Sequence, residues 1–141
     1  MTRILSFVSP LLLMVMLNIA HADVVVVVSK DNPVSELTQQ QVERIFLGKL
    51  MQFPDGRSAI PLDMPHNAPV RDDFYERTTG KTDGQVRSYW SRLIFTGGGV
   101  PPKMAMSSED MLRLVADNPN TVGYVAAGEI NDAVKVVWTP E

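Results

Sequence analysis

Five consecutive β-branched residues, Val24 to Val28, follow Asp23 with no polar position among them. A strand with one face in solvent alternates apolar and polar residues, so this unbroken run predicts a strand covered on both faces. That is the habit of a parallel sheet in an α/β domain. The polar stretch Ser29-Lys30-Asp31-Asn32-Pro33 then turns the chain, and the apolar period changes. Val42, Ile45 and Phe46 fall on one helical face. Thr38 and Gln41 have the spacing of a capping box, Leu37 and Val42 that of a hydrophobic staple, and Gly48 supplies the C-terminal stop.

Further along, Ala59-Ile60-Pro61-Leu62 reads as a short strand. Pro61 has no N–H, which places that strand at a sheet edge or a bulge. Asn67-Ala68-Pro69 opens a second helix with Val70, Phe74 and Tyr75 facing inward and Gly80 at its end. Asp83 is the expected cap of a third helix, where Val86, Tyr89, Trp90, Leu93 and Ile94 make a broad apolar stripe. The run Gly97 to Pro102 excludes regular structure. Ser107 or Ser108 caps a fourth helix through Met111, Leu112, Leu114 and Val115, stopped by Asn118-Pro119. Val122 to Ala126 and Val134 to Trp138 read as the last two strands. No repeat, low-complexity tract or linker interrupts this order, so one mixed α/β domain is expected.

The first 22 residues follow another pattern. Arg3 is the only charged side chain among the first twenty, and Ile4 to Leu17 is apolar apart from Ser6, Ser9 and Pro10. Ala20-His21-Ala22 has the small-x-small form of a cleavage site. The apolar run is shorter than the roughly 20 residues of a membrane anchor. Residues 1–22 are therefore expected to be a signal peptide cleaved after Ala22, with residues 23–141 as one periplasmic domain.

Composition narrows the chemistry. The 141 residues are 45% hydrophobic and 21% charged, as in soluble globular proteins. They include no cysteine, which excludes disulfides, thiol nucleophiles and thiolate metal sites. His66 is the one histidine that cleavage would leave, so few nucleophile–base pairs can be built. No enzyme, metal or cofactor is expected. The formal charge of −3 argues against nucleic acid and against direct membrane binding, leaving membrane contact to partners.

Ligands of open α/β sheets sit beyond strand carboxyl ends and against helix N-termini. Two loops qualify: Ser29, Lys30 and Asn32 after the valine strand, and Asp63, His66, Asn67 and Arg71 before and within the second helix. Their hydroxyl, ammonium and guanidinium groups would suit a small oxyanion; the same residues also read as an ordinary solvated surface. Asp72 and Asp73 are adjacent, so they complement the helix dipole rather than face each other as a catalytic pair. Gly97-Gly98-Gly99 lacks the Gly-Lys-Ser/Thr ending of a phosphate loop and reads as a flexible connection. Tyr89 and Trp90 sit in an amphipathic stripe, so one or both read as core rather than as a ligand platform.

These segments together resemble a known family, the phosphate-type periplasmic substrate-binding proteins of ABC importers. The matching text is Val25-Val26-Val27-Val28-Ser29-Lys30-Asp31-Asn32-Pro33-Val34, Leu37-Thr38-Gln39-Gln40-Gln41-Val42 and Ile45-Phe46-Leu47-Gly48-Lys49. It continues through Pro54-Asp55-Gly56, Ile60-Pro61, Arg71-Asp72-Asp73-Phe74, Trp90, Phe95-Thr96-Gly97 and Val122-Gly123-Tyr124-Val125. The resemblance implies a single periplasmic-binding-protein-like lobe, an α/β fold with a mixed, mainly parallel sheet flanked by about four helices. It corresponds to the second of the family's two lobes. The family's phosphate-holding Ser-Gly-Thr-Arg run falls on Ala68-Pro69-Val70-Arg71, where only the arginine is kept.

The candidate ligand-binding residues are thus Ser29, Lys30, His66, Asn67 and Arg71, with Arg71 and Lys30 as charge anchors. The expected function is binding of phosphate or another small oxyanion in association with an ABC importer. Half a clamshell buries little of a ligand, so affinity is expected to be low unless a second subunit, such as another copy of this chain, closes the site. The alternative is a ligand-free interaction module serving an ABC permease or an envelope sensor protein.

Overall fold

The computed structural model describes residues 23–141, so the signal-peptide expectation lies outside the described residues. Five strands form one sheet: β1 (Val24–Ser29), β2 (Ile60–Asp63), β3 (Lys103–Met104), β4 (Thr121–Ala126) and β5 (Val134–Trp138). Four helices accompany them: α1 (Gln39–Phe46), α2 (Pro69–Thr79), α3 (Asp83–Phe95) and α4 (Ser108–Asp117). The sheet order is β3-β2-β4-β1-β5. β2 runs parallel to β3 and to β4, whereas β1 is antiparallel to both β4 and β5. Four strands therefore point one way and β1 alone points the other.

The valine run is buried along its whole length, as expected for a strand covered on both faces. Its direction differs from the parallel habit that such a run suggests. A valine side chain fills the same space whichever way its backbone neighbours run, so burial predicts coverage and leaves polarity open. Alternation on β4 shows how the two faces are covered. Tyr124 stacks on Phe74 of α2 at 3.9 Å and lies edge-on to Phe46 of α1. Its neighbour Gly123 points to the opposite face, where an added Cβ would meet Met111 and Val115 of α4. Helices α1 and α2 thus pack on one side of the sheet and α4 on the other.

Local chemistry explains the helix ends. The Thr38 hydroxyl accepts from Gln41 N–H while the Gln41 side chain accepts from Thr38 N–H, and Leu37 and Val42 are both buried beside them. At the other end Gly48 N–H donates to Ile45 and Lys49 N–H to Arg44, with Gly48 at φ +72°. That is the Schellman closure, which a left-handed glycine permits. Thr82, rather than Asp83, caps α3: Thr82 and Gln85 repeat the reciprocal capping box. Asp83 becomes the first residue of the helix and its carboxylate is left for other work. Ser107 caps α4.

Pro61 also differs from expectation. β2 is an interior strand, but its pairing with β3 begins only at Leu62, so Pro61 has a strand partner on the β4 side alone. The missing N–H is tolerated because that position is a local edge. In α3, Val86 and Trp90 are buried, whereas Ile94 stands exposed at the end of the expected stripe.

Candidate functional site

The carboxyl end of β2 delivers Asp63 to the first turns of α2, and α2 returns Arg71 and Tyr75 to it. These two residues are four apart and so share a helix face. Tyr75 donates its hydroxyl to Asp63 Oδ2 at 2.6 Å. Asp63 Oδ1 accepts from the Tyr124 hydroxyl and from Met64 N–H. Burial pushes both tyrosine pKa values up, and the Asp63 charge pushes them further, so both hydroxyls remain donors.

Arg71 closes this group. Its side chain is only 3% exposed, with Nε 3.4 Å from Asp63 Oδ1 and Nη1 bonded to Asp83. The guanidinium carbon also lies 5.0 Å from the Tyr75 ring centroid, within cation–π range. Burial by itself would lower the arginine pKa; Asp63, aided by Tyr75, Tyr124 and Asp83, raises it above the ordinary value. The ion is paired on both sides.

Asp83 is where the loop, α2 and α3 meet. Its Oδ1 takes Arg71 Nη1 and lies 3.6 Å from His66 Nδ1, while its Oδ2 lies 3.0 Å from Arg87 Nε. The Asp83 side chain keeps 25% of its surface. Beside it opens a pocket of about 270 Å³, lined among others by Asp63, His66, Arg71, Arg87, Trp90 and Met104. Among the described residues, Arg71 Nε and Trp90 Nε1 are buried without a hydrogen-bond partner.

The structure does not bring all the sequence candidates together. His66, Asn67 and Arg71 stand at this end of the sheet. Ser29 and Lys30 stand at the other, because β1 is reversed: Val28 pairs with Val122 and Ser29 with Val134, at the starts of β4 and β5. There Ser29 Oγ donates to the Ala116 carbonyl at 3.4 Å, Asn32 donates to that of Pro119 at 2.8 Å, and Lys30 is exposed. These contacts fasten the loop after β1 to the end of α4. A joint site of Lys30 with Arg71 is therefore corrected to two separate loops. Ala68 caps α2 without a side-chain hydrogen bond, and Asn67 is exposed just before it.

Sequence reasoning missed the carboxylate role of Asp83 and the hydroxyls of Tyr75 and Tyr124. The spacing Thr82-x-x-Gln85 was the available signal for the first, since it frees Asp83 from capping. For the tyrosines the four-residue step from Arg71 to Tyr75 was a partial one.

No family profile and no curated protein matches the chain. Solved structures do. An ABC-type phosphate transport receptor from Vibrio cholerae is similar at TM-score 0.67 and 22% identity, over 84% of this chain and 48% of that one. A Clostridium perfringens protein with bound phosphate gives TM-score 0.66 and 22% identity, over 82% and 44%. PstS from Borrelia burgdorferi gives TM-score 0.62 and 11% identity, over 82% and 46%. The chain spans less than half the length of each. At these identities the likeness is one of fold: the described domain is built like part of a phosphate-receptor-type binding protein.

Proposed function

We propose that this protein is an extracytoplasmic interaction module that uses the fold of a solute receptor and serves an ABC permease or an envelope sensor. Catalysis has no part in this reading. The observation that carries it is the state of Arg71, the one residue kept from the expected oxyanion run. A guanidinium available to an anion should present free N–H groups to a cleft. Here it is buried between Asp63 and Asp83, and both carboxylates would repel an incoming oxyanion. Proline at the first position of α2 also removes one N–H from the helix end. The fold likeness and the leader-like first 22 residues support the location and the partner class.

Calorimetry on the exported chain is the test. Phosphate, sulfate and acetate should give no saturable heat at millimolar concentration, and the chain should co-purify from detergent-solubilised envelopes with a permease or sensor subunit. Phosphate binding that is millimolar or tighter and depends on Arg71 would instead restore the receptor reading. The N-terminus of protein from a periplasmic extract should be Asp23; finding Met1 there would remove the export claim.

A further inference from the structure

We infer that Asp83 is a built-in stand-in for an anion, occupying an oxyanion site that its removal would open. The inference rests on the reading of Arg71 as internally neutralised and adds the residue responsible. Three nitrogen-bearing side chains from three parts of the fold converge on one carboxylate: His66 from the loop after β2, Arg71 from α2 and Arg87 from α3. Convergence of separate guanidinium groups on a single acceptor is how proteins hold phosphate and carboxylate ligands. In this chain the acceptor is part of the protein.

Charge accounting identifies Asp83 rather than Asp63 as the occupant. Asp63 is satisfied by Tyr75, Tyr124 and Met64 N–H and is buried with Arg71, so it belongs to the core. Asp83 is part-exposed and receives no hydroxyl among the described contacts; its partners are cations and His66. Without its carboxylate, Arg87 would lose its acidic partner and Arg71 would keep only Asp63, and both guanidinium groups line the adjoining 270 Å³ pocket. That pocket has room for a tetrahedral oxyanion, and His66 already lines it. The cap of α3 does not use Asp83, since Thr82 and Gln85 form it between themselves.

The test uses inorganic phosphate as the probe, by calorimetry on wild type, Asp83→Asn and Asp83→Ser. Asp83→Asn keeps the shape and removes the charge; Asp83→Ser also makes space. Both should gain at least about tenfold in phosphate affinity over wild type, and adding Arg87→Gln should abolish the gain. A folded Asp83→Asn protein, verified by an unaltered circular dichroism spectrum, that binds phosphate no better than wild type overturns the inference. So does a gain that survives Arg87→Gln. The affinity of wild type itself bears on the reading of Arg71, and the ratio of variant to wild type on Asp83, so the two can fail separately.

Discussion

The Tyr75 hydroxyl donates to Asp63 Oδ2 at 2.6 Å, joining the first turns of α2 to the last residue of β2. Tyr124 reaches the other carboxylate oxygen from β4. A carboxylate buried in a core is costly unless its lone pairs are met. Here two phenols and a backbone N–H meet them, the Arg71 guanidinium adds a counter-charge 3.4 Å away, and the same contacts fix where α2 sits on the sheet.

Removing one of these phenols should therefore cost more than a surface hydroxyl does. Tyr124→Phe keeps the ring stacked on Phe74 and deletes the donor to Asp63, together with an acceptor for Met64 N–H, which keeps its bond to Asp63 Oδ1. The expected loss is about 1–3 kcal/mol, the penalty for an under-satisfied buried acceptor. Urea unfolding of Tyr124→Phe and Tyr75→Phe measures it. Two variants as stable as wild type would mean that Asp63 is hydrated.

The same tyrosines predict alkaline sensitivity. In the unfolded chain a phenol ionises near pH 10. In the fold, burial and the Asp63 charge raise both pKa values well above that. Their contribution is complete below about pH 10 and is lost as pH rises beyond it, because the unfolded chain then releases protons that the native state retains. Each tyrosine should steepen the decline by about 1.4 kcal/mol per pH unit. Tyr89, raised by burial, has the same sign. Unfolding free energies between pH 9 and 11 should fall steeply in wild type and less steeply in the Tyr75→Phe/Tyr124→Phe double variant. Equal slopes would show that these two phenols ionise freely in the fold.

Much of the scaffold was legible because its signals are local. The capping box at Thr38 and Gln41, the staple of Leu37 and Val42, and the stop at Gly48 each lie within one or two helical turns. The direction of β1 was not, since it depends on pairing with Val122 to Ala126, almost a hundred residues away, and valines carry no mark of polarity. That single unknown placed Ser29 and Lys30 beside Arg71 when they lie at opposite ends of the sheet. The Asp63 group escaped for a related reason. Tyr124 is 61 residues from Asp63 in sequence, and a tyrosine in an apolar run reads as core until its hydroxyl's partner is known.

Gly48 offers a test of packing against backbone conformation. Gly48 and Gly80 have nearly the same backbone, φ +72° and +69°. A Cβ on Gly48 would lie 2.9 Å from Trp90 Cη2, whereas one on Gly80 would meet nothing within 4 Å. Gly80→Ala should cost only the left-handed penalty, about 1–2 kcal/mol. Gly48→Ala should cost visibly more, because Trp90 is buried in the core and cannot swing aside freely. Thermal melts of the two variants give the comparison, and equal shifts would mean that the Trp90 ring yields without penalty.

Arg71 is the residue where the sequence and the structure lead to different experiments. Read as an exposed anion anchor in the first turn of a helix, it should be replaceable by alanine with little effect on the fold. The structure buries it between Asp63 and Asp83, so alanine there leaves a core carboxylate without its counter-charge. Breaking a buried pair from one side typically costs about 3–5 kcal/mol, a large share of the roughly 5–15 kcal/mol that holds a domain together. Arg71→Ala should accordingly show a sharply lowered urea midpoint. Arg71→Lys should fall between, because an ammonium keeps the charge but cannot span two carboxylates with a planar fork. Adding Asp63→Asn to Arg71→Ala should recover part of the loss, since the neutral amide no longer needs a cation. The double-variant cycle should show a coupling of about 0.5–3 kcal/mol, as for residues in direct contact. A stable Arg71→Ala protein with no coupling to Asp63 would mean that the guanidinium faces solvent, and the oxyanion site first suggested by the sequence would stand.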